Sequence, residues 1–119
     1  MRGLGELEAK VMDVLWSADE PLRVREVLER LATDRPLAYT TVMTVLDNLH
    51  GKGYAQRNKT GRAYEYTAAS SREEAGARLL REVLYSSGEA KQVLLHFAET
   101  ATPEESAILR RALRKGKPS

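Results

Sequence analysis

The 119 residues predict a mostly α-helical protein with one small β-hairpin, and three observations carry that reading. Apolar residues recur at three- and four-residue spacing in six separate stretches. The period shortens to two in one place, between residues 54 and 67. Turn formers such as Pro21, Pro36, Gly53, Gly61 and Gly88 fall where one pattern gives way to the next.

The first stretch, Leu4, Leu7, Val11, Val14 and Leu15, predicts a helix over about residues 5–17, with Trp16 in the core near its end. Asp19-Glu20-Pro21 breaks it, and Pro21-Leu22-Arg23 is a short extended piece. Val24, Val27, Leu28 and Leu31 predict a second helix over residues 24–32. It starts on Arg23, which offers no acceptor oxygen as an N-cap, so this end either frays or is held by tertiary contacts. Thr33 to Pro36 is a turn, with Pro36 steering Arg35 away from helix.

The third helix is expected over residues 38–51, with Val42, Val45, Leu46 and Leu49 as its buried stripe. Thr40 and Thr44 point the opposite way, flanked by Thr41, Met43 and Asp47; Asp47 either pairs with Lys52 or lies past the groove contact. Gly51 or Gly53 can take the left-handed conformation that ends the helix. Residues 54–58 and 62–67 then form two strands around a Lys59-Thr60-Gly61 turn, where Gly61 supplies a positive φ. Tyr64 and Tyr66 share one face of the second strand and are expected to pack the hairpin's core.

Ser70 and Ser71 with Glu73 and Glu74 offer a capping box in either register for a fourth helix, whose apolar side is Ala75, Leu79, Leu80, Val83 and Leu84. Ser86-Ser87-Gly88 ends it, and Val93, Leu94, Phe97 and Ala98 mark a short fifth helix. Thr102-Pro103-Glu104-Glu105 starts a sixth with a cap, a proline in the first position and acids in the first turn. Ile108, Leu109, Ala112 and Leu113 follow, and residues 116–119 are expected to fray.

Composition narrows the function. With no cysteine, disulfides, thiolate metal sites and cysteine nucleophiles are excluded, and two distant histidines, His50 and His96, leave little for zinc. No Ser–His–Asp set, carboxylate pair or glycine-rich phosphate loop is apparent, so neither an enzyme nor a cofactor is expected. No apolar run approaches the roughly 18–20 residues of a membrane span, and residues 1–6 lack a signal-peptide core; the expectation is a cytoplasmic chain without membrane insertion. The net charge is only +2, but its distribution is uneven: −3 over residues 1–34, +3 over residues 35–67 and +2 thereafter.

Helix, short strand, helix, helix and hairpin, in that order, is the winged helix-turn-helix arrangement, in which the third helix enters the DNA major groove. Thr40, Thr41 and Thr44 suit base edges, each with a hydroxyl for hydrogen bonding and a methyl for thymine, and Tyr39 can reach a phosphate or pack on sugar. Arg57, Lys59 and Arg62 place cations on the hairpin, beside the phosphate backbone. The expected division is a DNA-binding domain over residues 1–68 and a three-helix dimerisation segment over residues 69–119. In the latter, Leu79, Leu80, Val83, Leu84, Val93, Leu94, Phe97, Ile108, Leu109 and Leu113 are too few to build a core alone and too many to leave in water. A homodimer on an inverted-repeat operator is the expectation.

Several runs also resemble the penicillinase repressor family. They are Leu4-Gly5-Glu6-Leu7-Glu8 with Val11-Met12 and Leu15-Trp16, then Val24-Arg25-Glu26-Val27, the run from Ala38 to Leu46, Lys52-Gly53, and Gly61 to Tyr66. The similarity continues through Leu95-His96-Phe97 and the Pro103-Glu104-Glu105 helix, and the third-helix run looks most like actinobacterial members. The resemblance implies a dimeric transcriptional repressor of β-lactamase or related resistance genes, cleaved in its dimerisation region by a membrane sensor-protease. It places DNA contacts at Tyr39, Thr40, Thr41, Thr44 and Arg62. The sequence departs from the family pattern at Ala38-Tyr39, where a serine is common, at Asn48, where a basic residue is common, and at His96-Phe97, which aligns with the cleaved Asn-Phe bond. Without cysteine it also lacks the thiolate cluster of the copper-responsive relatives. On the residues alone two other readings stay open: a ligand-responsive regulator of the MarR type, and a winged helix used only for protein contact.

Overall fold

The computed structural model describes residues 3–33 and 35–115. Asp34 in the expected turn and the expected fraying at residues 116–119 lie outside the described residues. The elements run α1 (Glu6–Ser17), β1 (Leu22–Arg23), α2 (Val24–Arg30), α3 (Tyr39–Gly51), β2 (Ala55–Thr60), β3 (Ala63–Ala68), α4 (Arg72–Ser86), α5 (Ala90–Glu99) and α6 (Pro103–Lys115). The mostly helical fold with one hairpin is the one expected.

The three strands form an antiparallel sheet in the order β1-β3-β2. Leu22 pairs with Tyr66 across one edge of β3, and Arg57 pairs with Tyr66 across the other. This pairing explains how α2 starts without a good cap. Leu22 and Val24 are buried on either side of Arg23, and the Arg23 N–H donates to Glu26 Oε1 at 2.8 Å. Tertiary anchoring replaces the missing acceptor oxygen.

α2 stops at Arg30, two residues before the expected end. Leu31 turns to extended backbone (φ −72°, ψ 128°), yet its side chain still packs against the core, so the apolar spacing outlasts the helix. The hairpin also differs from expectation. β2 continues to Thr60, which pairs with Ala63, and the turn is Gly61-Arg62. Gly61 has φ +66°, and among the described residues no non-glycine has a positive φ. Positive φ at the first central position alone is the type II′ pattern, whose twist matches the strands. Lys59 therefore sits in the strand and Arg62 in the turn.

The core is built by Val11, Met12 and Leu15 of α1, Val27 of α2, Val42, Leu46 and Leu49 of α3, and Tyr54 and Tyr66 at the sheet. Trp16 is half-buried beside it and donates its indole N–H to the Ser70 carbonyl at 3.0 Å. Arg72 lies over the Trp16 ring, 4.7 Å from its centroid, and bonds Asp13 at 2.6 Å. Tyr64 departs from the core role expected for it: it is 42% exposed, because the core ends at Tyr66.

Of the two possible capping boxes at α4, the structure uses Ser71 with Glu74. Each backbone N–H donates to the other's side chain at 3.0 Å, and these bonds hold the Glu74 carboxyl below its usual range. Thr102 and Glu105 make the same reciprocal pair at α6.

By contact the chain divides into two compact units, the first ending at Leu79 and the second starting at Leu80. The first holds the sheet and the whole buried core, through Ala75. In the second, neither α5 nor α6 buries a residue in the single chain. Leu80, Val83, Leu94, Phe97, Ile108 and Leu113 are all about half exposed or more. Among the described residues, no helix is long and apolar enough to cross a membrane.

Candidate nucleic-acid interface

The stripe Val42, Leu46 and Leu49 is fully buried, which fixes the rotation of α3 about its axis. Tyr39, Thr40, Thr41, Met43, Thr44 and Asp47 are left exposed. Thr40, Thr44 and Asp47 follow one another at spacings of four and three, so they form one row along the outer face. α3 begins at Ala38, which has no side chain able to cap. The cap residue thus offers no side-chain acceptor to the first N–H groups of the helix, and a helix start of this kind favours an anion.

The hairpin stands beside this row. Arg57 reaches α3 from β2, with Nη1 2.8 Å from Asp47 Oδ1. Its guanidinium lies over the Tyr64 ring, 4.3 Å from the centroid, and Tyr64 meets Tyr66 edge to face at 6.4 Å. The Tyr66 phenol and the Asp47 carboxylate, both hydrogen-bonded to Arg57, hold it above its ordinary value. Lys59 and Arg62 are exposed further along the hairpin and at its turn.

Between the start of α2, the start of α3 and the hairpin runs an open groove of about 710 Å³. Arg25, Tyr39, Arg62 and Tyr64 are among its lining residues. The Arg25 guanidinium lies 5.7 Å from the centroid of the Tyr39 ring. The structure thus gathers Tyr39, Thr40, Thr41, Thr44, Arg57, Lys59 and Arg62 in the first unit, on α3 and the hairpin.

Three relationships escaped the sequence. Arg25 joins the groove, and the only signal for it was a basic residue in the first turn of α2. Asp47 pairs with Arg57 and not with Lys52. Lys52 instead reaches back to α1 and bonds both Glu8 oxygens, at 2.8 and 2.9 Å. Both side chains of that pair are largely shielded, and it ties the end of α3 to the start of α1. Partners separated by 44 residues leave no trace in local periodicity.

Residues 4–115 match the family described as penicillinase repressor. Over 113 residues the chain is 44% identical to the transcriptional regulator BlaI of Mycobacterium tuberculosis, in strains CDC 1551 / Oshkosh and ATCC 25618 / H37Rv alike. That alignment covers 92% of this chain and 82% of the relative. Among solved structures, the chain is similar to wild-type apo MarR from E. coli, with a TM-score of 0.49 and 19% identity over 97% of this chain and 79% of that one. It is also similar to Bordetella bronchiseptica BpsR, with a TM-score of 0.49 and 18% identity over 96% of this chain and 76% of that one.

Proposed function

The chain belongs to the penicillinase repressor family, and on that premise we propose that two copies of it hold an inverted-repeat operator, each with α3 in the major groove. It is a DNA-binding transcriptional repressor with a winged helix, not an enzyme. The observation that best supports the finer reading is the exposed row of Thr40 and Thr44, opposite the buried stripe of the same helix. Their hydroxyls and methyls, with those of Thr41, meet base edges; Tyr39 meets the backbone. Arg57, Lys59 and Arg62 run along the phosphates, where they add affinity by releasing counterions. Residues 1–68 do the reading and residues 69–119 the pairing. The controlled genes are β-lactamase or related resistance genes, and the protein works in the cytoplasm.

Footprinting on the promoter of its own operon tests this reading. The expected footprint is two protected half-sites related by a twofold, about one helical turn or more apart. Thr44→Ala is expected to weaken binding at that site by about 1–3 kcal/mol while leaving the melting curve unchanged. Unchanged operator affinity after alanine replacement of Thr40, Thr41 and Thr44, one at a time, would show that α3 docks some other way.

Family membership supports one route of release, a membrane sensor-protease cutting at His96-Phe97, where histidine stands in place of the family's asparagine. The bond lies inside α5, so cleavage needs that helix to open locally, because a protease cleft takes an extended chain. Phe97 is the only phenylalanine in the chain, and a cut beside it would break the surface through which the two copies pair. Immunoblots after β-lactam exposure are expected to show a fragment ending near His96. A full-length protein on a derepressed promoter would point to another route.

A further inference from the structure

A carboxylate in the row of a DNA-reading helix is an anomaly. Asp47 lies three residues beyond Thr44 on the outward side of α3, its side chain is 64% exposed, and a phosphate backbone repels it. Its geometry points to a use. Asp47 Oδ1 sits 2.8 Å from one terminal nitrogen of Arg57, whose side chain is only 24% exposed. The Tyr64 ring lies against the same guanidinium at 4.3 Å, and Tyr66 faces Arg57 across the ladder. A long side chain on a strand is thus held by a ring on one side and a carboxylate at one end. Arginine has five N–H donors in a rigid fork, so its bonds to the Tyr66 phenol and to Asp47 do not exhaust it.

We infer that Asp47 is a positioning residue: it fixes the Arg57 guanidinium so that the remaining N–H groups fork onto a DNA phosphate beside α3. The inference rests on the reading of α3 and the hairpin as the DNA interface. It explains why a helix facing a polyanion carries an acid. The repulsion from Asp47 is offset by an arginine whose orientation is settled before DNA arrives, which cuts the ordering cost of binding. Lysine could not substitute, because a point charge has no fork to orient.

The test is a double-mutant cycle on the full chain, read by fluorescence anisotropy with two labelled duplexes, one of its own promoter and one of random sequence, across a salt series. Removing a carboxylate near DNA should tighten binding on charge alone. If Asp47 acts through Arg57, Asp47→Asn instead weakens both duplexes by about three- to tenfold, and Asp47→Ser does the same. In an Arg57→Ala background neither substitution weakens binding further. Arg57→Ala lowers the salt slope by about one charge, whereas Asp47→Asn leaves the slope in place. Arg57→Lys keeps the slope and loses the same affinity as Asp47→Asn. Melting curves are expected to stay together, since an exposed pair of this kind contributes little to stability.

Tighter binding by Asp47→Asn would overturn the inference, as would an equal loss with and without Arg57. A loss confined to one base position would do so too, since it would make Asp47 a base reader. If Arg57→Ala leaves affinity and salt slope untouched, the hairpin's place on the DNA fails first, and the inference with it.

Discussion

Phe97→Asp is expected to convert the protein to monomers at micromolar concentration and to weaken operator binding by on the order of 10²–10⁴. The argument begins with α5 and α6, which bury none of their residues in the single chain. Phe97 is 49% exposed and Leu113 74%. Each large apolar side chain withdrawn from water gains about 1.5–3 kcal/mol, and in the proposed dimer a second copy related by a twofold would supply the missing surface. A carboxylate placed in the middle of that surface has to be buried without a partner or keep the surface apart. The core of the first unit lies within residues 11–75, so its melting should survive the change. Sedimentation reads the mass and footprinting the occupancy. A Phe97→Asp protein that still sediments as a dimer would move the pairing surface away from α5.

Leu46→Ala is expected to cost about 2–5 kcal/mol of stability, against a total of roughly 5–15 kcal/mol for a typical domain. Leu46 is fully buried in the middle of α3. Its neighbours in the core come from α1, α2 and the sheet, and a cavity there cannot be filled by a surface loop. The same helix carries the proposed reading face, so the loss of fold should take DNA binding with it at moderate temperature. Denaturant titration decides the matter: a midpoint shift worth less than about 1 kcal/mol would mean the core collapses around the gap.

The contrast between these two substitutions marks what the sequence could disclose. The stripe of α3 was legible because a helix with one buried face repeats its apolar residues; Val42, Leu46 and Leu49 are buried where the repeat puts them, and Val45, at the edge of the stripe, is half-buried against the core. The unsatisfied faces of α5 and α6 were legible for the same reason. Period two places Tyr64 and Tyr66 on one face but carries no information on how far the core reaches toward the hairpin tip, and Tyr64 lies beyond that reach. Partner choice was the least legible part of the site. Asp47 had two arginines or lysines within ten residues, and the choice of Arg57 over Lys52 depends on where a strand returns and on what Glu8 takes. The groove contact between Arg25 and Tyr39 depends on how two helices cross, which no single stretch encodes.

Trp16, the chain's single tryptophan, has a consequence of a different kind. Its indole is hydrogen-bonded to Ser70 and covered by the Arg72 guanidinium, at the join between α1 and the start of α4. Tryptophan emission therefore comes from the first unit, and α5 and α6 hold no tryptophan of their own. An unfolding curve followed by fluorescence watches the first unit, while far-ultraviolet circular dichroism weighs the helices of both units together. Where the helices past Leu80 melt with dissociation before the first unit does, the two curves separate, and their gap measures how independently the protein's two units come apart.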